Sequence, residues 1–418
     1  MPVSMNAQTW KGRSEKAAFI MEYGTFIISA ATLVVAMINN NLSMKLFNIC
    51  GILAILTLII KGRSSNINWK IFALPASILF IGIIDLIWYK LFKVSNSPFQ
   101  ATYHNYINTV RVFIFGFFIV LLAATTKIKY KSSVLLYLLY SVSFIILGYA
   151  LFQKFSIGMD RIDFGIGTST GAAYSIMLVG LISAVSILYT SRRHPLLFVL
   201  NTVMVFAALV MTQTRSSILI FPIICCVTIA TYYLKNTKKL LLGMCGFLAL
   251  MIVLGVVFSH SISSRYDAAV NDINLYQQGD GNSSLGARFA MYRSGMTLFK
   301  EAPLKWRSAE ERSQEVENLI VKDKTLSSAM VYINVHLHNE IVENASLKGI
   351  IGVISVLCFY AALIFSAWYY RALGLFAFSL AIIGTGLSDV LIWARSVPII
   401  IICGLTLLLL FNKIRSTQ

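Results

Sequence analysis

The fold is decided by residues 240–259, which read LLLGMCGFLALMIVLGVVFS and contain no charged side chain. A helix needs about 20 consecutive apolar residues to span a bilayer, so this stretch alone is long enough. Comparable apolar runs recur along the chain and bring the candidate helices to twelve, at 19–38, 45–60, 71–89, 109–126, 134–152, 172–190, 196–212, 217–234, 240–259, 349–369, 373–390 and 397–411. This pattern predicts an all-α polytopic membrane protein of about 12 transmembrane helices.

The composition of the 418-residue chain agrees with that prediction. Hydrophobic residues make up 57% of it and charged residues only 12%, about half the charged share usual for soluble domains. These values exclude a soluble enzyme, a disordered chain and a nucleic-acid binder. The six cysteines lie in apolar runs without metal-binding spacing, so we interpret them as small hydrophobic residues.

The net charge of +18 is explained by where the cations lie. Lys and Arg occupy every second gap between the apolar runs, beginning with Lys11, Arg13 and Lys16 and ending with Lys413 and Arg415. Cytoplasmic loops of membrane proteins carry such an excess of positive charge. We therefore expect both termini in the cytoplasm. The positive charge is explained by insertion into a lipid membrane and does not indicate a nucleic-acid partner.

One long segment on the opposite side, 260–347, is nearly neutral. The predicted organisation has three parts: residues 1–259 with the first nine spans, a large loop domain on the non-cytoplasmic side over 260–347, and residues 348–418 with the last three spans. The loop is predicted to be mostly helical. Apolar residues recur at helical spacing from Leu285 to Phe299, and Pro303 ends that pattern. The Glu-rich stretch 308–324 is also compatible with a helix.

Arginines at the outer ends of the spans need an explanation, because a charge at membrane depth costs about 2.5–3.5 kcal/mol. Arg215 lies in a short turn between two apolar runs, and Arg288 lies at the edge of the apolar stripe of the loop helix. Snorkelling towards lipid phosphates is one explanation for Arg215. Binding of a phosphate-bearing ligand is the other, since a guanidinium matches phosphate oxygens in a bidentate way. Asp389 and Arg395 flank another short turn, where a local salt bridge is the simpler interpretation.

Two histidines belong to one motif, Val335-His336-Leu337-His338-Asn339-Glu340. Asn339 is a good N-cap for a following helix, and a helix N-terminus disfavours an imidazolium, which favours His338 as a neutral base. Residues two apart in an extended segment point to opposite sides, so we expect only one histidine to face a given site. Both could instead be capping or interfacial residues. A zinc site is disfavoured because no Cys is nearby.

Arginines and one histidine at the outer end of a helix bundle fit a substrate with a lipid tail, a diphosphate and a polar head. The chain resembles the O-antigen ligases of Gram-negative envelopes, which are integral-membrane C-type glycosyltransferases related to O-antigen polymerases. The stretches that carry the resemblance are Asn96-Ser97-Pro98-Phe99 with Ala101-Thr102-Tyr103-His104, Thr212-Gln213-Thr214-Arg215, Ser284-Leu285-Gly286-Ala287-Arg288, the motif Asn334 to Glu340 with Gly349 and Gly352, and Gly386 to Ser396. Many members of this family have a glycine shortly after the proline that ends the loop helix. In this chain Pro303 is followed by Leu304-Lys305-Trp306 instead.

The resemblance implies a reaction on the periplasmic face of the inner membrane. Its donor would be O-antigen polysaccharide on undecaprenyl diphosphate, and its acceptor the outer-core sugar of lipid A–core. Transfer would invert the anomeric configuration and need no ATP, cofactor or metal. By the same resemblance, Arg215 and Arg288 match the diphosphate-binding arginines and His338 the catalytic histidine. His336, Asn339, Asp389 and Arg395 are then expected around them or on the acceptor side.

Two other functions compete with the ligase. An O-antigen polymerase of the same superfamily would use the same arginines and histidine but a lipid-linked glycan as acceptor, and its loss would leave single-unit caps on lipopolysaccharide. A transporter of lipid-linked glycans should instead carry charges through the middle of its spans and show repeat symmetry. Here charges within the spans are few and the reactive residue types gather on one face, which disfavours the transporter.

Overall fold

A computed structural model describes residues 3–62, 68–126, 132–190, 194–278, 283–392 and 396–415. Within these ranges the chain is helical and has no strand. The helices are α1 (Val3–Ile38), α2 (Asn40–Lys61), α3 (Trp69–Phe92), α4 (Gln100–Thr125), α5 (Ser132–Leu151), α6 (Ser169–Thr190), α7 (His194–Thr212), α8 (Arg215–Tyr233), α9 (Thr237–Val257), α10 (Ser259–Gln277), α11 (Ser284–Glu301), α12 (Ala309–Lys322), α13 (Glu340–Tyr369), α14 (Leu373–Gly386) and α15 (Ser396–Arg415). A π-helical turn, Phe152–Ser156, extends α5, and a 3₁₀ helix, Lys324–Tyr332, precedes α13.

The predicted all-helical, polytopic architecture is confirmed. Every predicted apolar run lies wholly or mostly in a helix. Nine helices among the described residues are long and apolar enough to cross a membrane: α1 to α4, α6 to α9 and α13. Shorter apolar helices cover Ser141–Ser156, Leu373–Gly386 and Ser396–Asn412. The run predicted over 373–390 thus ends early, at Gly386, and the number twelve stays a prediction.

The bundle has a buried centre and an exposed rim. The apolar stretch of α6 is wholly buried, and α15 packs against α1, α4 and α6. In contrast, only 11% of the apolar stretch of α9 is buried, although α9 is the most hydrophobic of the spans. A helix that is apolar on all sides and packs on few neighbours is typical of a lipid-facing position.

The segment between α9 and α13 carries the predicted loop helices. The amphipathic helix is α11, which Ser283 caps by accepting a hydrogen bond from Gly286 N–H, and the Glu-rich helix is α12, capped by Ser308. Their apolar faces pack on the C-terminal end of α3 and the N-terminal end of α4, where the Trp88 indole donates to the Arg307 carbonyl at 2.8 Å. The segment therefore shares its core with the bundle, and the division at 260 and 347 stays a prediction.

A kink in α13 connects this segment to the membrane part. Gly349 interrupts the helix with φ +57° and ψ −149°, and the next residue, Ile350, donates its N–H to the Pro303 carbonyl at 2.7 Å. A Cβ on Gly349 would lie 2.4 Å from that same oxygen. The corner at which the sequence departs from its relatives, Pro303 to Trp306, thus packs directly on the kink.

The glycine-rich run 165–171 has a similar packing role. Gly165 lies against the turn between α1 and α2, where it donates to the Met37 carbonyl at 3.0 Å and leaves no room for a Cβ beside the Ile38 carbonyl. Close backbone approach of this kind needs glycine. Gly165 is therefore explained by helix packing.

Gly349→Ala is expected to lower the free energy of unfolding by at least about 1–3 kcal/mol, because a left-handed backbone and a clash with Pro303 are then forced on a residue with a Cβ. The measurement is the thermal unfolding midpoint of the detergent-purified protein. Gly255→Ala in α9 is the matched control, since a Cβ there meets nothing within 4 Å. Equal midpoints for the two variants would contradict the packing role of Gly349.

Candidate functional site

The histidine motif forms a sharp turn at the start of α13. His338 adopts a left-handed backbone conformation, with φ +49°. Asn339 then caps the helix by accepting hydrogen bonds from Ile341 N–H and Val342 N–H, both at 3.0 Å. Tyr292 of α11 donates its hydroxyl to the His338 carbonyl at 2.7 Å. A non-glycine residue in this region costs about 1–3 kcal/mol and persists where surrounding contacts determine it, often at functional sites.

His338 is paired with Asp389. The two side chains meet at 2.9 Å between Nδ1 and Oδ1, and both are largely shielded from solvent. Burial by itself would raise the pKa of Asp389, but the hydrogen bond from His338, the neighbouring imidazoles and the Tyr174 hydroxyl outweigh it and hold that pKa below its ordinary value. The ionised carboxylate can only accept, so His338 must carry its proton on Nδ1. In the neutral imidazole this tautomer leaves a lone pair on Nε2, which is the arrangement of a general base.

His336 faces the same carboxylate. Its Nδ1 lies 3.6 Å from Asp389 Oδ1, and the two imidazole rings are 4.4 Å apart. The expectation that only one histidine faces the site is therefore wrong, because the chain turns at His338 instead of running straight. His336 Nδ1 accepts the backbone N–H of His338 at 3.2 Å. Burial lowers the pKa of His336 to about 4, which makes it a neutral acceptor near pH 7.

The turn that carries Asp389 is bound to the first residues of α13. The Asn339 side chain donates to the Leu387 carbonyl at 2.8 Å. The Glu340 carboxylate accepts the N–H groups of Leu391 and Ile392 at 2.8 and 3.2 Å. The motif thus joins the histidines to the turn that contains their carboxylate partner. The expected bridge between Asp389 and Arg395 falls outside the described residues, which also exclude Trp393 and Ala394.

Tyr174 and Tyr292 were missed by the sequence reasoning. Tyr174 of α6 donates to Asp389 Oδ2 at 2.8 Å, and nothing in its apolar surroundings marks it. Tyr292 was assigned only to the apolar stripe of α11. Glu340 was named only as the last residue of the histidine motif, and its hydrogen bonds to the Asp389 turn were not predicted. Only its place within the histidine motif could have pointed to it.

Arg215 lies among other arginines. It starts α8 and forms an ion pair with Asp272 of α10 at 2.9 Å. Arg161 Nε donates to the Thr212 carbonyl at 3.2 Å, and Arg265 binds the Gln213 side chain. Burial, and then the charges of Arg265 and Arg215, lower the pKa of Arg161. Three guanidinium groups therefore surround one turn, of which sequence reasoning found only Arg215.

Arg288 lies on the side of α11 that faces the histidines. It is half-buried, one helical turn before Tyr292, whose hydroxyl contacts the His338 backbone. Burial raises the pKa of Tyr292, and the positive charge of Arg288 opposes that effect. Asp272, the ion-pair partner of Arg215, accepts a hydrogen bond at its backbone carbonyl from Ser283, the N-cap residue of α11. Helix α11 therefore connects Arg288 to the surroundings of Arg215.

His336, His338 and Asp389 each offer an atom that could bind a metal, and these atoms lie within 4.8 Å of one another. The donor atoms already bind each other: His338 Nδ1 carries a proton for Asp389, and His336 Nδ1 accepts from the backbone. A metal ion would have to displace both contacts. The arrangement fits proton transfer better than metal binding, and the expectation of a metal-independent site stays a prediction.

Comparison with known proteins gives concordant similarities. A family model described as O-antigen ligase matches residues 200–357, a range that includes Arg215, Arg288 and His338. The O-antigen ligase of Escherichia coli (strain K12) is 46% identical over 417 residues, which cover 100% of both chains. An uncharacterized protein of Haemophilus influenzae (strain Rd) is 25% identical over 249 residues, 57% of this chain and 61% of its own.

The pKa of His336 makes a prediction about acid stability. An unfolded histidine binds a proton near its ordinary pKa of 6.5, whereas His336 in the folded state does so only near pH 4. The unfolded state therefore binds more protons at this position between these values, and the contribution of His336 to stability falls as pH drops from about 6.5 to about 4. The lowered pKa of Asp389 affects stability only at pH values below this range.

The measurement is the unfolding midpoint of the detergent-purified protein across this pH range. On going from pH 6.5 to pH 4, His336→Gln should be destabilised less than the unaltered protein, whatever the effect of the substitution on stability at neutral pH. His260→Gln, at an exposed position of α10, is the control and should keep the slope of the unaltered protein. A slope unchanged by His336→Gln would contradict the burial of a neutral imidazole.

Proposed function

Because this chain belongs to the O-antigen ligase family, we propose that it transfers O-antigen polysaccharide from undecaprenyl diphosphate to the outer-core sugar of lipid A–core. The observation that carries the proposal is the 46% identity with an O-antigen ligase over the whole of both chains. The chain is accordingly a glycosyltransferase of lipopolysaccharide biosynthesis and a multi-pass protein of the bacterial inner membrane. The donor, the acceptor and the residues that act on them are parts of the proposal.

His338 is the proposed general base. Its Nε2 takes the proton of the acceptor sugar hydroxyl, whose oxygen attacks the anomeric carbon of the donor. The bond from that carbon to the diphosphate oxygen breaks, and its electron pair leaves with undecaprenyl diphosphate. A single displacement inverts the anomeric configuration. Asp389 supports this role, since a carboxylate on Nδ1 sets the tautomer and stabilises the imidazolium that forms.

Arg215 and Arg288 are the proposed diphosphate ligands. The leaving group develops negative charge as the glycosidic bond breaks, and fixed guanidinium groups stabilise it without a metal ion. The cluster around Arg215 supports this assignment, because Arg161 and Arg265 bring further positive charge to the same turn and Asp272 neutralises only part of it. An anion placed there removes the repulsion between these cations.

The remaining residues of the proposed site hold the base and the acceptor side in place. His336 accepts the backbone N–H of His338, and Asn339 binds the Asp389 turn. Arg395 is proposed on the acceptor side from the resemblance alone. The distribution of Lys and Arg along the sequence supports cytoplasmic termini and a site that faces the periplasm.

The proposed reaction is tested by mixing purified protein with lipid-linked O-antigen and lipid A–core, without ATP and with EDTA. We expect a ladder of capped lipid A–core on a gel. His338→Ala should slow its formation by about 10²–10⁴-fold, because a positioned base is lost. His260→Ala, a histidine on the exposed side of α10, is the control and should retain normal transfer.

The outcomes separate the alternatives. Extension of the lipid-linked glycan without capping of lipid A–core would move the assignment to a polymerase. Transfer that EDTA stops and Zn²⁺ or Mg²⁺ restores would revive the metal site. A His338→Ala variant that ligates at the normal rate would remove the base assignment.

Arg215→Lys and Arg288→Lys are each expected to reduce the transfer rate by about 10²–10³-fold, because a single ammonium cannot replace the paired donors of a guanidinium. The same gel assay measures both variants. Arg293→Lys is the matched control: it lies on α11 one turn after Phe289, is mostly exposed and pairs with Asp323. Normal rates for both lysine variants would argue against diphosphate binding at these positions.

A further inference from the structure

A buried ion pair lies behind the histidine motif. Arg312 of α12 and Glu343 of α13 meet at 2.8 Å between Nη1 and Oε2, and both side chains are 0% exposed. Removing two charges from water is costly, and such a pair is often replaceable by apolar residues without loss of stability. Its presence here therefore calls for a role other than stability.

Both partners bind the backbone of the segment that carries the histidines. Glu343 Oε2 also accepts the N–H of Leu337 at 2.8 Å. Arg312 Nη2 donates to the carbonyl of Ile333 at 3.1 Å. The pair thus contacts residues 333–337 at both ends, and His336 and His338 lie within or directly beside that stretch. On its far side, Glu343 Oε1 accepts the Tyr106 hydroxyl at 3.2 Å, which ties it to α4.

The geometry of the base depends on this backbone. His338 reaches Asp389 only because the chain turns at a left-handed residue, and no regular secondary structure covers residues 333–339 to hold that turn. Its backbone N–H binds His336, another member of the same segment. Fixed contacts from outside the segment must therefore set where the imidazoles lie. Arg312 and Glu343 supply two of them.

We propose that Arg312 and Glu343 are positioning residues for the transfer reaction: they fix the backbone of residues 333–337 so that His338 stays aligned between Asp389 and the acceptor hydroxyl. This role rests on the proposed function of His338. The positioning role requires a side chain at position 343 that accepts the backbone N–H of Leu337. The ion pair with Arg312 holds that acceptor in place.

The chain provides a matched control one turn further along α13. Lys348 and Asp85 form a second ion pair, with side chains 0% and 2% exposed. Lys348 also contacts Asn344 and the Tyr106 ring, and its contacts with the histidine segment are indirect, through Tyr106 and Glu343. Replacing this pair removes a similarly buried charge pair while the direct hydrogen bonds of Arg312 and Glu343 to residues 333–337 remain.

The experiment measures kcat and the donor KM in the purified transfer assay for three double variants. Arg312→Met with Glu343→Met should lower kcat about 10²-fold, since small misplacement of a catalytic group has effects of that size. Arg312→Met with Glu343→Gln should recover at least about tenfold of this loss, because the glutamine oxygen can still accept from Leu337. Asp85→Leu with Lys348→Met should stay within about threefold of the unaltered protein. The donor KM should stay within about threefold in all of them, because binding of the donor is separate from alignment of the base.

Three results would overturn the proposal: an unchanged kcat in the double methionine variant, a glutamine variant that is equally slow, or a control that loses as much activity as the double methionine variant. If the double methionine variant does not fold, Arg312→Lys replaces it. One ammonium cannot reach both Glu343 and the Ile333 carbonyl, so kcat should fall about tenfold, and an unchanged kcat would overturn the role. Absence of transfer in the unaltered protein and the control would instead reject the proposed function.

Discussion

The arrangement of the candidate site depends on the contact between His338 and Asp389. This contact joins the start of α13 to the turn after α14, and Tyr174 adds α6 through the second carboxylate oxygen. The consecutive helices α13 and α14 and the distant helix α6 therefore converge on one carboxylate. An ionised aspartate that is buried with donors on both oxygens orients its imidazole partner, and this orientation leaves Nε2 available for chemistry.

The loop segment and the bundle act as one structure around that contact. α11 supplies Tyr292 to the His338 carbonyl, α12 supplies Arg312 to Glu343, and the kink at Gly349 receives the Pro303 corner. The Trp88 indole and the Tyr106 hydroxyl extend the same contacts into α3 and α4. Displacing any of these helices would move the histidines relative to their carboxylate. The strained backbone at His338 is compatible with such dense support.

Positive charge is concentrated at two positions, one near Tyr292 and one at the turn before α8. Arg288 lies near Tyr292, whose hydroxyl contacts the His338 backbone, whereas Arg215 lies with Arg161 and Arg265 around the turn before α8. α11 links the positions through Ser283 and Asp272. Clustered cations of this kind are unfavourable on their own, so the arrangement is typical of a site whose ligand completes the charge balance.

The sequence by itself determined what depends on neighbouring residues in the chain. The apolar run 240–259 is a helix, the stripe from Leu285 to Phe299 is the amphipathic α11, and Asn339 caps α13, because hydropathy, periodicity and capping act over a few residues. Three candidate residues, His336, His338 and Asp389, were also recognised from short motifs and do lie together. Their partners in the chain could not be derived in the same way.

Only the tertiary structure decided which side chains meet. The hydrogen bond from Tyr174 to Asp389 joins residues 215 positions apart, and the ion pair from Arg312 to Glu343 depends on how α12 packs on α13. Both histidines reach one carboxylate because a positive φ at His338 reverses the alternation that an extended strand would impose. The low pKa of His336 follows from burial beneath these helices. Packing between distant helices sets all of these properties, and such packing leaves no local signal in the sequence.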